Sequence, residues 1–151
     1  MNSGQLTQCL LSDLCARCTF RGVFPKDRLP LRVNTRYPSA YVINTARHGG
    51  PGEHWVVVWL DRGGRGEYFD SFGLPPFHRD IEAFLRRHCP RGFRFSPRLL
   101  QGILNMTCGP YCVYYVLKKS REFSMERVLS IFHPYKLWAN DRKVLSIVRL
   151  V

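Results

Sequence analysis

Residues 54–60 read His54-Trp55-Val56-Val57-Val58-Trp59-Leu60. An unbroken β-branched and aromatic run fits a strand covered on both faces, at the centre of a sheet. Residues 61–66 carry three glycines and read as a hairpin connection. Glu67-Tyr68-Phe69-Asp70 is then the partner strand, ending at Ser71-Phe72-Gly73. Upstream, Tyr41-Val42-Ile43-Asn44 reads as another strand, followed by the turn cluster Arg47-His48-Gly49-Gly50-Pro51-Gly52. A hairpin of this kind carries His54 and Asp70 to the same end of the sheet.

The flanks add helices. Leu6, Cys9, Leu10 and Leu14 recur at helical spacing, so residues 6–18 are expected to be helical. Residues 21–38 are basic, contain Pro25, Pro30 and Pro38, and are expected to form an ordered loop. Ile81, Phe84 and Leu85 mark a helix over 80–88, and Phe93-Arg94-Phe95 alternates like a short strand. Residues 108–119 read as a buried helix, with Gly109 and Pro110 in its first turn and Cys112, Val113, Val116 and Leu117 as its stripe. Two further helices are expected over 125–132, capped by Ser124, and over 141–150, capped by Asn140. The expected class is α+β, a small mostly antiparallel sheet packed with helices. At 151 residues the chain is expected to be a single domain, 1–151, without internal repeats.

Composition narrows the function classes. Hydrophobic residues make up 45%, which excludes a disordered or fibrous chain. The longest apolar run, 111–117, is too short to span a bilayer. The chain opens without a charged segment followed by an apolar one, Met1-Asn2 is not a myristoylation start, and Leu150-Val151 is not a prenylation box. A non-secreted protein without a membrane partner is therefore expected. The six cysteines, at 9, 15, 18, 89, 108 and 112, are then expected to be reduced. Cys15-x-x-Cys18 is half of a zinc site lacking its second half, so no metal or organic cofactor is expected. The net charge of +12, carried mostly by arginine, points to a polyanion, with nucleic acid ahead of a membrane surface.

Three side chains stand out by placement. His54 opens a buried strand, Asp70 closes its neighbour, and Cys108 begins a buried helix, whose dipole and free amides stabilise a thiolate. A cysteine activated by a histidine, itself oriented by an acid, is the thiol form of nucleophilic catalysis. Alone, each residue has an ordinary structural reading; together and in this order they form a catalytic set.

Gly52-Glu53-His54-Trp55, Tyr68-Phe69-Asp70-Ser71-Phe72-Gly73, Gln101-Gly102 and Thr107-Cys108-Gly109-Pro110-Tyr111-Cys112 resemble the adenovirus-type cysteine proteases, adenain-like enzymes. The related ubiquitin-like-modifier proteases share the His, acid, Cys order. The flavour is nearest to proteases of Maverick/Polinton-type elements and related DNA viruses, with Phe20-Arg21-Gly22-Val23-Phe24-Pro25 as a further matching stretch. The resemblance covers about residues 20–117 and leaves the tail unassigned.

The resemblance implies Cys108 as nucleophile, His54 as general base, Asp70 as orienter and Gln101 as oxyanion-hole side chain, with Trp55 and Gly109 beside the site. It implies a cysteine endopeptidase that matures precursor proteins of a virus or virus-like element. Such an enzyme would be a monomer working in the virion and in the host nucleus or cytoplasm. It implies duplex DNA as an assisting polyanion, with Arg86, Arg87, Arg91, Arg94 and Arg98 as one candidate phosphate-binding stretch and Arg28, Arg32 and Arg36 as another. An activating peptide is also implied, and Cys89, 19 residues before Cys108, is the candidate for joining it. Cys112 is expected to be packing, and His48, His78, His88 and His133 to be surface or structural. The chain departs from the adenoviral pattern in being shorter and in using Asp rather than Glu. The competing readings are a deubiquitinating or de-modifying isopeptidase of the same clan and an inert basic DNA-binding virion protein.

Overall fold

Strand β3, Trp55–Leu60, divides the core of the computed structural model, which describes residues 1–34, 36 and 38–149. Successive side chains of a strand point to opposite faces. Val57 and Trp59 enter one apolar cluster, and Val56, Val58 and Leu60 enter the other. Val56, Val57 and Val58 are wholly buried, which stabilises the fold by roughly 1.5–3 kcal/mol per side chain.

Around it lie β1 (Phe20–Pro25), β2 (Ser39–Asn44), β4 (Gly66–Phe69) and β5 (Phe93–Phe95), in spatial order β1-β2-β3-β4-β5. The inner ladders, β2 with β3 and β3 with β4, are antiparallel; the outer two are parallel, so the sheet is mixed. The helices are α1 (Ser3–Ser12), α2 (Ala16–Thr19), α3 (Arg79–His88), α4 (Cys108–Lys119), α5 (Met125–Leu129) and α6 (Leu137–Val148). Helix α3 covers the Val56 face with Ile81, Phe84 and Leu85, while α1, α4, α5 and α6 supply the cluster on the Val57 face. The α+β class stands. No helix among the described residues is long and apolar enough to cross a membrane.

Three local expectations need correction. Phe20–Pro25, expected to be loop, is an edge strand. Pro25 is tolerated at its end, and the register shifts between Phe20 and Gly22, where Gly22 has φ 135°. The expected 6–18 helix is two helices. Asn2 and Gln5 form a reciprocal capping box on α1, and Asp13 ends it, accepting from the amides of Cys15 and Ala16 at the start of α2. Helix α6 begins at Leu137 rather than after Asn140. Asn140 is buried inside its first turns, accepting from the His133 amide and donating to the carbonyls of Leu100 and His133.

Helix α4 is fixed at both ends. Tyr115 stacks on Phe69 with centroids 4.3 Å apart, and Lys119 reaches Glu67 and the Trp59 ring. Glu67 and Trp59 pair near the hairpin turn, so the C-terminal end of α4 lies there. Its N-terminus, with Cys108, is thereby carried to the opposite end of the sheet.

Candidate active site

The β3–β4 hairpin closes on Asp61, whose Oδ1 accepts from the amides of Gly63 and Arg65. Its other end brings His54 and Asp70 together, with His54 Nε2 2.7 Å from Asp70 Oδ1. The Asp70 side chain is 3% exposed and that of His54 17%. Phe72 stacks on the imidazole at 29°, 4.8 Å between centroids, and its amide also donates to Asp70 Oδ1. With Nε2 turned to Asp70, Nδ1 is the nitrogen left for Cys108, which interacts with His54 closely enough for each to shift the other's pKa.

The electrostatics follow. Burial pulls the His54 pKa down, but the hydrogen bond and charge of Asp70, with those of Cys108, push it up to about 9. Burial pushes the Cys108 thiol up, but the His54 hydrogen bond, the Trp55 and Gly109 amides and the His54 charge bring it below its ordinary value. Both displacements run in the direction of a thiolate–imidazolium pair.

Gln101 is placed by the residue after Asp70. Ser71 accepts from the Leu100 and Gln101 amides through its carbonyl, and its hydroxyl donates to Gln101 Oε1. That assigns Nε2 to the other side, where it donates to the Asn105 carbonyl at 2.7 Å. Gln101 is 1% exposed. Gly73, at φ 73°, makes this approach possible, because a Cβ there would lie 2.6 Å from the Arg98 carbonyl carbon. Gly109 likewise leaves room for Met1 and Trp55, and the Trp55 indole donates to the Met1 carbonyl at 3.1 Å. A cleft of about 230 Å³ opens beside Trp55, lined in part by Val23, Phe24, Ala46 and Gly50. Larger hollows near Arg65 and Arg91, near Lys26 and Arg87 and near Lys119 and Phe123 are not lined by Cys108.

The other sequence candidates are scattered. Cys89 is buried behind Gly66, its thiol pushed up to about 11 by burial, so a covalent partner reaches it only if the turn after α3 opens. Cys112 is buried, its thiol pushed far up. Arg86 pairs with Glu82, Arg94 with Glu67 and Glu126, and Arg98 donates to the carbonyls of Leu129 and Phe132. Arg91 makes a 3.5 Å contact to the Gly63 carbonyl. Arg87, Arg28, Arg32 and Arg36 are exposed. His78 contacts Lys26, His88 packs edge-on to Phe84, His133 accepts from two amides, and the amide of His48 donates to Asp27. Among the described residues no group of three His, Cys, Asp or Glu is arranged to hold a metal.

Sequence reasoning missed two residues here. Ser71 lay inside a quoted motif without a role. Asp141, in the unassigned tail, had no local signal.

No family model and no curated protein matches the chain. Solved structures do share its fold. The ASFV pS273R protease superposes with TM-score 0.52 at 24% identity, over 72% of this chain and 43% of that one. The central domain of the uncharacterized Lpg1148 protein from Legionella pneumophila gives 0.58 at 17%, over 99% and 93%. ChlaDub1 from Chlamydia trachomatis gives 0.53 at 14%, over 75% and 58%. The chain thus spans less than two thirds of the ASFV protease and of ChlaDub1.

Proposed function

We propose that the protein is a cysteine peptidase using Cys108, His54, Asp70 and Gln101. The carrying observation is the histidine held between a buried aspartate and a cysteine at a helix N-terminus, with the two pKa values displaced towards an ion pair. The Cys108 thiolate attacks the substrate carbonyl carbon, and the carbonyl π electrons move onto oxygen. The Cys108 amide and the second Nε2 hydrogen of Gln101 receive that oxyanion; one such donor is worth about 2.7–4 kcal/mol. His54 gives its Nδ1 proton to the leaving nitrogen as the C–N bond breaks. The resulting thioester is hydrolysed by water that loses its proton to His54, and the thiolate leaves.

The substrates in this reading are precursor proteins of a DNA virus or virus-like element, cleaved in virions and infected cells; the fold shared with the ASFV pS273R protease supports the peptidase part of it. The fold of ChlaDub1 keeps a de-modifying isopeptidase as the second reading. A ubiquitin-type reporter against a Gly-containing peptide separates them by which is cleaved. Duplex DNA binding rests on the +12 charge and the exposed Arg28, Arg32, Arg36 and Arg87, and it should weaken steeply with added salt.

The test is iodoacetamide labelling of each cysteine from pH 4.5 to 9, read by mass spectrometry with and without duplex DNA. Fast labelling of Cys108 alone at acidic pH is the expected result. An ordinary thiol profile at Cys108 in both conditions overturns the preformed pair.

A further inference from the structure

The segment between Gln101 and Cys108 has no apolar anchor of its own. Ile103, Leu104 and Met106 are 75%, 96% and 88% exposed. Its fixed points are polar and converge on one carboxylate. Asp141, on α6 and 4% exposed, accepts from the Gly102 amide at 3.0 Å and from Asn105 Nδ2 through Oδ2. Through Oδ1 it accepts from the Thr107 hydroxyl at 2.9 Å and the Tyr111 hydroxyl at 3.1 Å. All four donors are neutral, and all lie within residues 102–111. The approach is close: a Cβ on Gly102 would sit 2.8 Å from Asn105 Nδ2 and 3.0 Å from Asp141 Oδ2.

Two of these bonds lead to the reacting groups. Asn105, held by Asp141, offers its carbonyl to Gln101 Nε2, and that bond sets where the other Nε2 hydrogen points. Thr107 is the N-cap of α4 but makes no side-chain cap; its hydroxyl goes to Asp141, fixing the residue before Cys108. We propose that Asp141 is a positioning residue for the oxyanion hole, acting on Gln101 through Asn105 and on the Cys108 amide through Thr107. This rests on the peptidase reading above. It separates the two tasks of the site, since Asp141 touches neither His54 nor Asp70 in its hydrogen bonding.

The experiment is Asp141→Asn, which keeps the volume but places an amide where two donors point. Three readouts are taken: the pH profile of Cys108 alkylation, the affinity for a peptide aldehyde, and amide hydrogen exchange. The aldehyde forms a hemithioacetal whose oxygen occupies the oxyanion position. Expected are an unchanged alkylation profile, at least about tenfold weaker aldehyde binding, and kcat reduced with KM unchanged. The loss should stay below the roughly 10²–10³-fold of deleting a donor. Aldehyde affinity within twofold of the parent overturns the proposal. So does parallel loss of the alkylation profile and the melting transition, which would make Asp141 a general fold residue. If the parent itself shows no acid-labelled Cys108, the peptidase reading fails, and the positioning is judged from exchange alone. Faster exchange at Gly102 with β3 protection intact supports it, and unchanged protection at Gly102 overturns it.

Discussion

Cys108 stands between two supports that differ in how they are made. On one side, His54 and Asp70 end adjacent strands 16 residues apart, backed by the most buried part of the sheet. On the other, Gln101 and the segment leading to Cys108 are tied by polar bonds to Ser71 and Asp141, partners 30 to 39 residues away in the chain. Packing holds the first side, so its geometry tolerates small changes. Directional bonds hold the second, and a single substituted atom shifts it. The proposed function then makes forming the thiolate and stabilising the oxyanion separable.

The largest predicted effect breaks the first side. Asp70→Asn should lower kcat/KM by up to about 10⁴-fold, by presenting the wrong imidazole tautomer, and should move Cys108 alkylation to higher pH. Both are read on the same sample by substrate turnover and mass spectrometry. Gln101→Ala should cost roughly 10²–10³-fold in kcat yet leave the alkylation profile unchanged; a shifted profile would join the two sides. A pH titration of stability sharpens the contrast further. In Cys108→Ala no thiol titrates beside His54. There the Asp70 hydrogen bond and charge still raise His54 against burial, so the stability it contributes is fully present below its ordinary 6.5 and is lost as pH rises through its folded value. The melting temperature should fall across that window, and much less so when Asp70→Asn is added. The smallest effect is Thr107→Val, which removes one of four bonds to Asp141, about 1 kcal/mol. It should lower kcat a few-fold with the alkylation profile intact.

These two sides were also unequally legible. The His54 and Asp70 half could be read because strand burial and a glycine-rich hairpin turn are local signals, and the hairpin then dictates which residues meet. Cys108 was marked by Gly109 and Pro110 at a helix start. Strand β1 was hidden because edge position, not propensity, excuses its glycine and proline. Asn140 looked like a cap because a polar residue before a helical stripe usually is one; here tertiary bonds to Leu100 and His133 took it inside. Asp141 gave no signal, since an aspartate near a helix start is common and its four donors lie 30 to 39 residues upstream.

The distance along the chain between Thr107 and Asp141, 34 residues, has a temporal meaning. At about 5–20 residues per second, a ribosome delivers the carboxylate roughly 2–7 s after the hydroxyl that it receives. During that interval Cys108 exists on a nascent chain whose 102–107 segment lacks its bonds to Asp141. The proposed site would thus be complete only with α6, after the hairpin and α4 have already emerged.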